Sequence, residues 1–139
     1  MKPDKTYVAP LIINDKGELL IIKVNSRDIW TSLGGGIEDG DSEEEALVRE
    51  IREEVGLTAT KLTKYITLPV EPAAENSKKF IQIIYFLVEA TGEPKLDEGE
   101  DIAEYKWVSL KQAELMKDQI GTGLRKYAIP KLKTEGLMK

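Results

Sequence analysis

The segment "GGGIEDGDSEEEALVREIREEVGL", residues 34–57, sets three consecutive glycines before a strongly acidic stretch. Seven acids and two arginines lie between Asp41 and Glu54, which gives this stretch a charge of −5. The formal net charge of the whole chain is also −5, so the remaining acids and bases balance. The net negative charge is thus confined to one short segment, whose residues are the first candidates for a function.

This acidic stretch has the pattern of a helix with defined ends. Ser42 and Glu45 have the spacing of a capping box, which predicts that the helix begins at Ser42. Gly56 fits the left-handed position that commonly ends a helix. The apolar side chains that fall on one face, and that we expect to pack on a sheet, are Leu47, Val48, Ile51 and Val55.

Three glutamates, Glu50, Glu53 and Glu54, are neighbours on another face of this helix. One interpretation is a solvated acidic surface in which Arg49 and Glu53 form an ion pair. Like charges at these spacings cost roughly 0.2–0.5 kcal/mol per pair, however, and a bound divalent cation would reverse the sign of that effect. Because carboxylate oxygens suit Mg²⁺, Ca²⁺ and Mn²⁺, the spacing favours a metal site.

The rest of the chain predicts an α/β protein. Apolar runs at 7–14 and 18–24, separated by the turn signal "NDKG", indicate a β-hairpin. The run "FIQIIYFLVEA", residues 80–90, is apolar enough to be a central strand that is buried on both faces. A capping box at Ser109 predicts a further helix, and Pro130 is expected to limit or kink the last one. The order of these elements indicates a mixed sheet with helices on its faces.

Composition excludes several classes of chemistry. The chain has 139 residues, 41% hydrophobic and 32% charged, which is typical of one soluble globular domain. It contains neither histidine nor cysteine, which excludes Ser-His-Asp triads, Cys-His pairs, disulfides and most zinc sites. No apolar run reaches the roughly 20 residues of a membrane span, and the N-terminus lacks an apolar signal region. We therefore expect a cytoplasmic protein without membrane association, and the acidic balance argues against nucleic-acid binding.

The glycines and acids together resemble the Nudix box, G-x5-E-x7-R-E-U-x-E-E-x-G-U, in which U is a bulky aliphatic residue. The residues at the specified positions are Gly35, Asp41, Arg49, Glu50, Ile51, Glu53, Glu54, Gly56 and Leu57. Asp41 stands where the family usually has Glu, and Leu33 stands where many members have Pro. The spacings of a P-loop and of an EF-hand are not met. The resemblance implies one Nudix domain over residues 1–139, with a mixed β-sheet sandwiched between helices (α/β/α).

The resemblance also implies a metal-dependent hydrolase of a nucleoside diphosphate linked to another group. Mg²⁺ is the implied cofactor, with Mn²⁺ as a possible substitute. Glu50 or Glu53 is the implied general base, and Arg49 is implied to orient Glu53 or Glu54 through an ion pair. The implied metal ligands are Glu50, Glu53, Glu54, the carbonyl of Gly34 or Gly35, and Asp101.

Asp101 belongs to an acidic loop and lies six residues before Trp107, where the family often supplies a further ligand. Glu98, Glu100 and Glu104 are alternatives in the same loop. The other interpretation is a loop whose acids are merely solvated. The sequence does not decide between a metal ligand and a solvated loop.

Other residues are candidates for contact with the substrate. The backbone of Gly35 and Gly36 can approach a ligand closely. Lys23, at the end of a predicted strand, could reach a phosphate or could be a charge at the edge of a sheet. Trp30 and Tyr85 could stack on a base, with packing in the core as the alternative.

The compact chain favours a nucleoside or deoxynucleoside triphosphate as substrate, oxidised ones included, with a nucleoside monophosphate and pyrophosphate as products. ADP-ribose is an alternative, since Pro72 lies 15 residues beyond Leu57, as in many ADP-ribose enzymes; dinucleoside polyphosphates are another. A non-catalytic Nudix module that binds a nucleotide or a protein is the remaining alternative, and the intact set of three glutamates argues against it. The protein is expected to be a monomer or a homodimer.

Overall fold

The computed structural model describes residues 2–37, 40–97, 99 and 101–139. Within these residues the predicted α/β class is confirmed. The strands are β1 (Lys5–Ile12), β2 (Leu19–Val24), β3 (Trp30–Thr31), β4 (Gly35–Gly36), β5 (Thr58–Thr67), β6 (Glu71–Pro72), β7 (Phe80–Thr91) and β8 (Ile102–Val108). The helices are α1 (Glu43–Val55), α2 (Leu110–Leu115) and α3 (Ile129–Thr134), with a 3₁₀ turn at Lys117–Gln119 and a π-helical turn at Leu124–Ala128. None of these helices is long and apolar enough to cross a bilayer.

The strands form two sheets rather than the single mixed sheet that the sequence suggests. The larger sheet has the order β4-β1-β7-β5, with β6 also paired to β7, and the smaller one has the order β3-β2-β8. β1 and β7 run parallel, from Lys5 opposite Ile81 to Ile12 opposite Val88, whereas the other strand pairs are antiparallel. The position of β7 as a central strand is therefore confirmed.

The predicted hairpin between the first two strands is wrong. The turn itself forms, because the Gly17 amide donates to the Asn14 carbonyl at 3.0 Å and one antiparallel bridge joins Ile13 to Leu19. Beyond that bridge, β1 enters the larger sheet and β2 enters the smaller one. Turn residues predict where a chain reverses, but they do not decide with which strand each apolar run pairs. Because β1 is apolar on both faces, it suits a position beside the buried β7.

α1 and the C-terminal helices cover opposite sides of the sheets. α1 packs through Leu47, Ile51 and Val55, which have no exposed surface, in a cluster that includes Phe86 of β7. The neighbouring residue Tyr85 belongs to a second cluster, which the C-terminal helices cover. Successive residues of β7 thus face opposite layers, and the α/β/α arrangement is confirmed.

The ends of α1 are set by local interactions, as the sequence predicts. The Ser42 hydroxyl accepts a hydrogen bond from the Glu45 amide at 3.1 Å, so Ser42 is the N-cap and the helix proper starts at Glu43. At the other end Gly56 adopts φ 68°, and its amide donates to the Arg52 carbonyl at 3.0 Å. These two caps fix where the helix begins and ends, and therefore where the three glutamates lie along it.

Pro130 does not end the last helix, which continues through it with a change of helix type; a kink at this residue stays a prediction. Proline has no amide hydrogen and its ring collides with the carbonyl four residues earlier, so a regular α-helix does not continue through it undisturbed. The wider π-helical turn at 124–128 directly precedes α3, and Pro130 lies in the first turn of α3. The change in helix type accommodates the proline without ending the helical segment.

Replacing Ser42 by Ala should lower the free energy of unfolding by about 1 kcal/mol, because the Glu45 amide would lose its hydrogen-bond acceptor. Urea denaturation followed by circular dichroism, in EDTA so that bound metal does not contribute, measures this loss. Ser42→Asp keeps an acceptor at the N-cap and should stay close to the wild type. Equal stability of Ser42→Ala and the wild type would contradict the assignment of this cap.

Candidate active site

The glycine loop and α1 meet at a contact between Gly35 and Glu50. Gly35 and Gly36 form the edge strand β4, which pairs with Tyr7 and Val8 of β1. A Cβ atom on Gly35 would lie 2.6 Å from both Cδ and Oε1 of Glu50. The Glu50 carboxylate therefore lies directly against the backbone of the loop, in space that only a glycine leaves open.

The three glutamates of α1 differ in their exposure to solvent. Glu53 is exposed, Glu50 is half-buried and Glu54 is 7% exposed. Among the residues that the structure describes, Glu54 is the one buried charged side chain. Burying a carboxylate is unfavourable unless polar or cationic partners offset the loss of hydration. The burial of Glu54 therefore distinguishes this face from an ordinary solvated acidic surface.

Acidic side chains of the described residues do not converge on a point in this arrangement. In residues 2–37, 40–97, 99 and 101–139, no three acids are grouped so that they could hold a metal ion. Asp101 precedes β8, and its Oδ2 accepts a hydrogen bond from the Ser26 hydroxyl at 2.6 Å. Glu98 and Glu100, the alternatives to Asp101, lie outside the described residues. Glu104 is exposed on β8, opposite Lys23 in the smaller sheet.

Arg49 forms an ion pair with Asp41, with 3.0 Å between Nη1 and Oδ2. Asp41 precedes the N-cap of α1 and Arg49 lies two turns into the helix, so the pair ties the incoming loop to the helix. This contact assigns a structural part to Asp41. The role of Arg49 in orienting Glu53 or Glu54 stays a prediction.

Trp30 and Tyr85 lie in the core, with 6% and 3% of their surfaces exposed. So little of either ring is accessible that the structure favours packing over stacking on a base for both. The Tyr85 hydroxyl is hydrogen-bonded to Ser32; burial raises the pKa of this phenol, and the hydrogen bond partly offsets the rise. The same hydroxyl lies against the backbone of Gly123, and the Gly121 amide donates to the Trp30 carbonyl at 2.8 Å. Both aromatic residues thus connect the approach to the glycine loop with the C-terminal helices.

Lys23 is an ion-paired residue at the surface of the smaller sheet. Its Nζ lies 2.8 Å from Oδ1 of Asp28. The hydrogen bond and the attraction to Asp28 raise the pKa of Lys23, which keeps the side chain cationic. The pair with Asp28 supports the interpretation of Lys23 as a surface charge, and contact with a phosphate stays a prediction.

Lys5 lies at the candidate site although no motif includes it. The end of its side chain lies against the backbone of Gly36, and its Nζ is 5.5 Å from the centre of the Tyr7 ring. An open cavity of about 530 Å³ begins here, lined in part by Lys5, Ile37 and Gln82. The pairing of β1 with β4 brings Lys5 to the glycine loop. No local pattern in the sequence indicates that pairing.

Comparison with known proteins identifies the domain. A model of the NUDIX domain matches residues 3–129. The nucleoside triphosphatase NudI of Escherichia coli O139:H28 is 35% identical over 134 residues, which cover 88% of this chain and 92% of the relative. NudI of Shigella flexneri has the same identity and coverage.

Solved structures show the same fold. A NUDIX hydrolase from Nitrosomonas europaea matches with a TM-score of 0.78 and covers 99% of this chain and 92% of that chain. At 21% identity this likeness concerns the fold alone. The MutT protein from Methanosarcina mazei Go1 matches with a TM-score of 0.72 and 25% identity, covering 97% of this chain and 96% of that chain.

Replacing Gly35 by Ala should weaken divalent-cation binding while leaving the fold intact. The new Cβ would displace the Glu50 carboxylate, which is the flexible end of a side chain and can rotate away at little cost in stability. A cation at 100 times its Kd stabilises a fold by about 2.7 kcal/mol. Thermal denaturation with and without Mn²⁺ should therefore show a smaller rise in Tm for Gly35→Ala than for the wild type.

Gly121→Ala is the matched control for this substitution, because a Cβ there meets its nearest neighbours at ordinary distances of 3.4 to 3.7 Å. NaCl at equal ionic strength corrects for general screening of surface charge. If Mn²⁺ raises the Tm of Gly35→Ala as much as that of the wild type, the contact between Gly35 and Glu50 does not support a metal site.

Proposed function

The chain belongs to the Nudix family of hydrolases, and we propose that it is a Mg²⁺-dependent pyrophosphohydrolase of nucleoside or deoxynucleoside triphosphates, oxidised ones included. The products are a nucleoside monophosphate and pyrophosphate. The observation that carries the proposal is the face of α1 that sets Glu50 against the glycine loop and buries Glu54. The relative of 35% identity that is a nucleoside triphosphatase supports the choice of a triphosphate over ADP-ribose or a dinucleoside polyphosphate.

The donor set at this face suits a hard divalent cation. Glu50, Glu53 and Glu54 offer only carboxylate oxygens, and the carbonyl of Gly34 or Gly35 adds a neutral oxygen. Such all-oxygen sites favour Mg²⁺ or Mn²⁺ over softer metals. A cation would also offset the repulsion of Glu50 with Glu53 and Glu54, which lie about one turn further along the helix.

Hydrolysis requires a water molecule to attack phosphorus, a P–O bond to break and pyrophosphate to leave. Mg²⁺ held by Glu50, Glu53 and Glu54 would supply positive charge that polarises the phosphoryl oxygens and makes the attacking water more acidic. Glu50 or Glu53 accepts the proton of the attacking water. Glu53 is exposed and open to water, whereas Glu50 is held against the loop. Lys5 offers the phosphates a cation beside Gly36.

Turnover should depend on a divalent cation. The intact protein is incubated with a panel of nucleoside triphosphates, oxidised triphosphates, ADP-ribose and dinucleoside polyphosphates, and released pyrophosphate and phosphate are measured. Triphosphates should be hydrolysed with Mg²⁺ or Mn²⁺ and should be inert in EDTA. Undiminished turnover in EDTA contradicts the proposal. Tight nucleotide binding without turnover of any substrate would instead support a non-catalytic Nudix module.

Glu53→Gln and Glu54→Gln should each lower kcat by about a hundredfold, on the order of the roughly 3 kcal/mol that one key electrostatic contact supplies. Each substitution removes a charge but keeps the shape of the side chain. Glu44→Gln is the matched control, since Glu44 is an exposed acid in the first turn of the same helix. Near-normal kcat in a variant whose circular dichroism is unchanged would indicate a solvated acidic surface.

A further inference from the structure

A second open cavity, of about 560 Å³, lies at the C-terminal end of α1, where the chain that leaves β7 meets the helix. The Lys95 amide donates a hydrogen bond to the Val55 carbonyl at 2.8 Å, which fixes this segment against the last turn of α1. The bond satisfies one of the carbonyls that a helix end leaves unpaired. Glu53 stands at the border, because it lines this cavity and also belongs to the face of the three glutamates.

Among the described residues, two cations and three acids line this cavity: Arg52, Lys95, Glu53, Glu93 and Asp97. Within the described part of the chain, neither cation forms an ion pair with a carboxylate. Both side chains are exposed and accessible to a ligand. The lining residues that the structure describes carry a formal charge of −1, and a divalent cation at Glu53 would change the charge of this set to +1. An anion should therefore bind here only together with the cation.

We propose that this cavity binds the terminal diphosphate of the substrate, the part that leaves as pyrophosphate. The inference rests on the proposed function, because it requires Glu53 to hold the divalent cation. Arg52 donates to phosphate oxygens in a bidentate manner, and Lys95 acts as a point charge. The negative end of the α1 dipole disfavours an anion at this place. The positive charges of Arg52 and Lys95 attract the diphosphate, whereas the C-terminal end of the helix repels it.

A diphosphate in this cavity would also fix the orientation of the substrate along α1. Glu53 lines the cavity, and Glu50, three residues earlier on α1, lies against Gly35. The diphosphate would then extend toward the C-terminal end of α1, and the nucleoside would lie toward the glycine loop. A nucleoside monophosphate has no group to place in the cavity, and orthophosphate fills it incompletely. Affinity for the phosphates should thus depend on Arg52 and Lys95, and affinity for the nucleoside monophosphate should not.

Isothermal titration calorimetry of pyrophosphate into the intact protein, with excess Mg²⁺, measures this binding without turnover. The double variant Arg52→Gln/Lys95→Gln should raise the Kd at least about tenfold, and each single variant by about threefold, through loss of charge-assisted hydrogen bonds. Lys111→Gln is the matched control, because it removes a positive charge from an exposed position of α2 outside the cavity. In EDTA, pyrophosphate should bind much more weakly to the wild type.

A Kd for the double variant within about twofold of that for Lys111→Gln would overturn the proposal, as would undiminished pyrophosphate binding in EDTA. An equal loss of affinity for a nucleoside monophosphate would indicate a general charge effect and would also overturn it. Orthophosphate binding as tight as that of pyrophosphate would exclude a diphosphate subsite. The two single variants and circular dichroism control for folding. If the wild type hydrolyses triphosphates while both substitutions leave pyrophosphate binding unchanged, the proposed function stands and only this subsite is lost.

Discussion

The packing of α1 against the sheet is the interaction on which the rest of the structure depends. Leu47, Ile51 and Val55 are fully buried on one side of the helix, and each such side chain contributes roughly 1.5–3 kcal/mol. Repulsion between like charges on another face amounts to roughly 0.2–0.5 kcal/mol per pair, which is several times smaller. The apolar contacts therefore hold the acids together, and the helix does not require a cation in order to form.

Local interactions could be predicted from the sequence, and distant ones could not. Ser42 and Gly56 act on their own neighbours, so both ends of α1 follow from residue type and spacing. The separation of β1 and β2 into two sheets depends on which strands pair, and the alternation of apolar residues satisfies more than one pairing. For the same reason the motif identifies the glutamates but not Lys5, which reaches the loop only through the pairing of β1 with β4.

Burial and hydrogen bonds hold the chain directly before the three glycines. Leu33 is 2% exposed, and the preceding Ser32 is hydrogen-bonded to the Tyr85 hydroxyl. The hydrogen bond from the Gly121 amide to the Trp30 carbonyl adds a second connection from the C-terminal part of the chain. The C-terminal helices contribute none of the proposed metal ligands, yet they help to position the loop that faces the glutamates.

The parallel pairing of β1 with β7 has a consequence for how the chain acquires its structure during synthesis. Lys5 lies opposite Ile81, so 76 residues separate the two partners. At about 5–20 residues per second, a ribosome needs roughly 4–15 s to make that interval. Until β7 has been made, β1 and the apolar face of α1 have no central strand to cover them. The helix that carries the three glutamates can reach its final packing only after β7, which ends at Thr91, has left the ribosome.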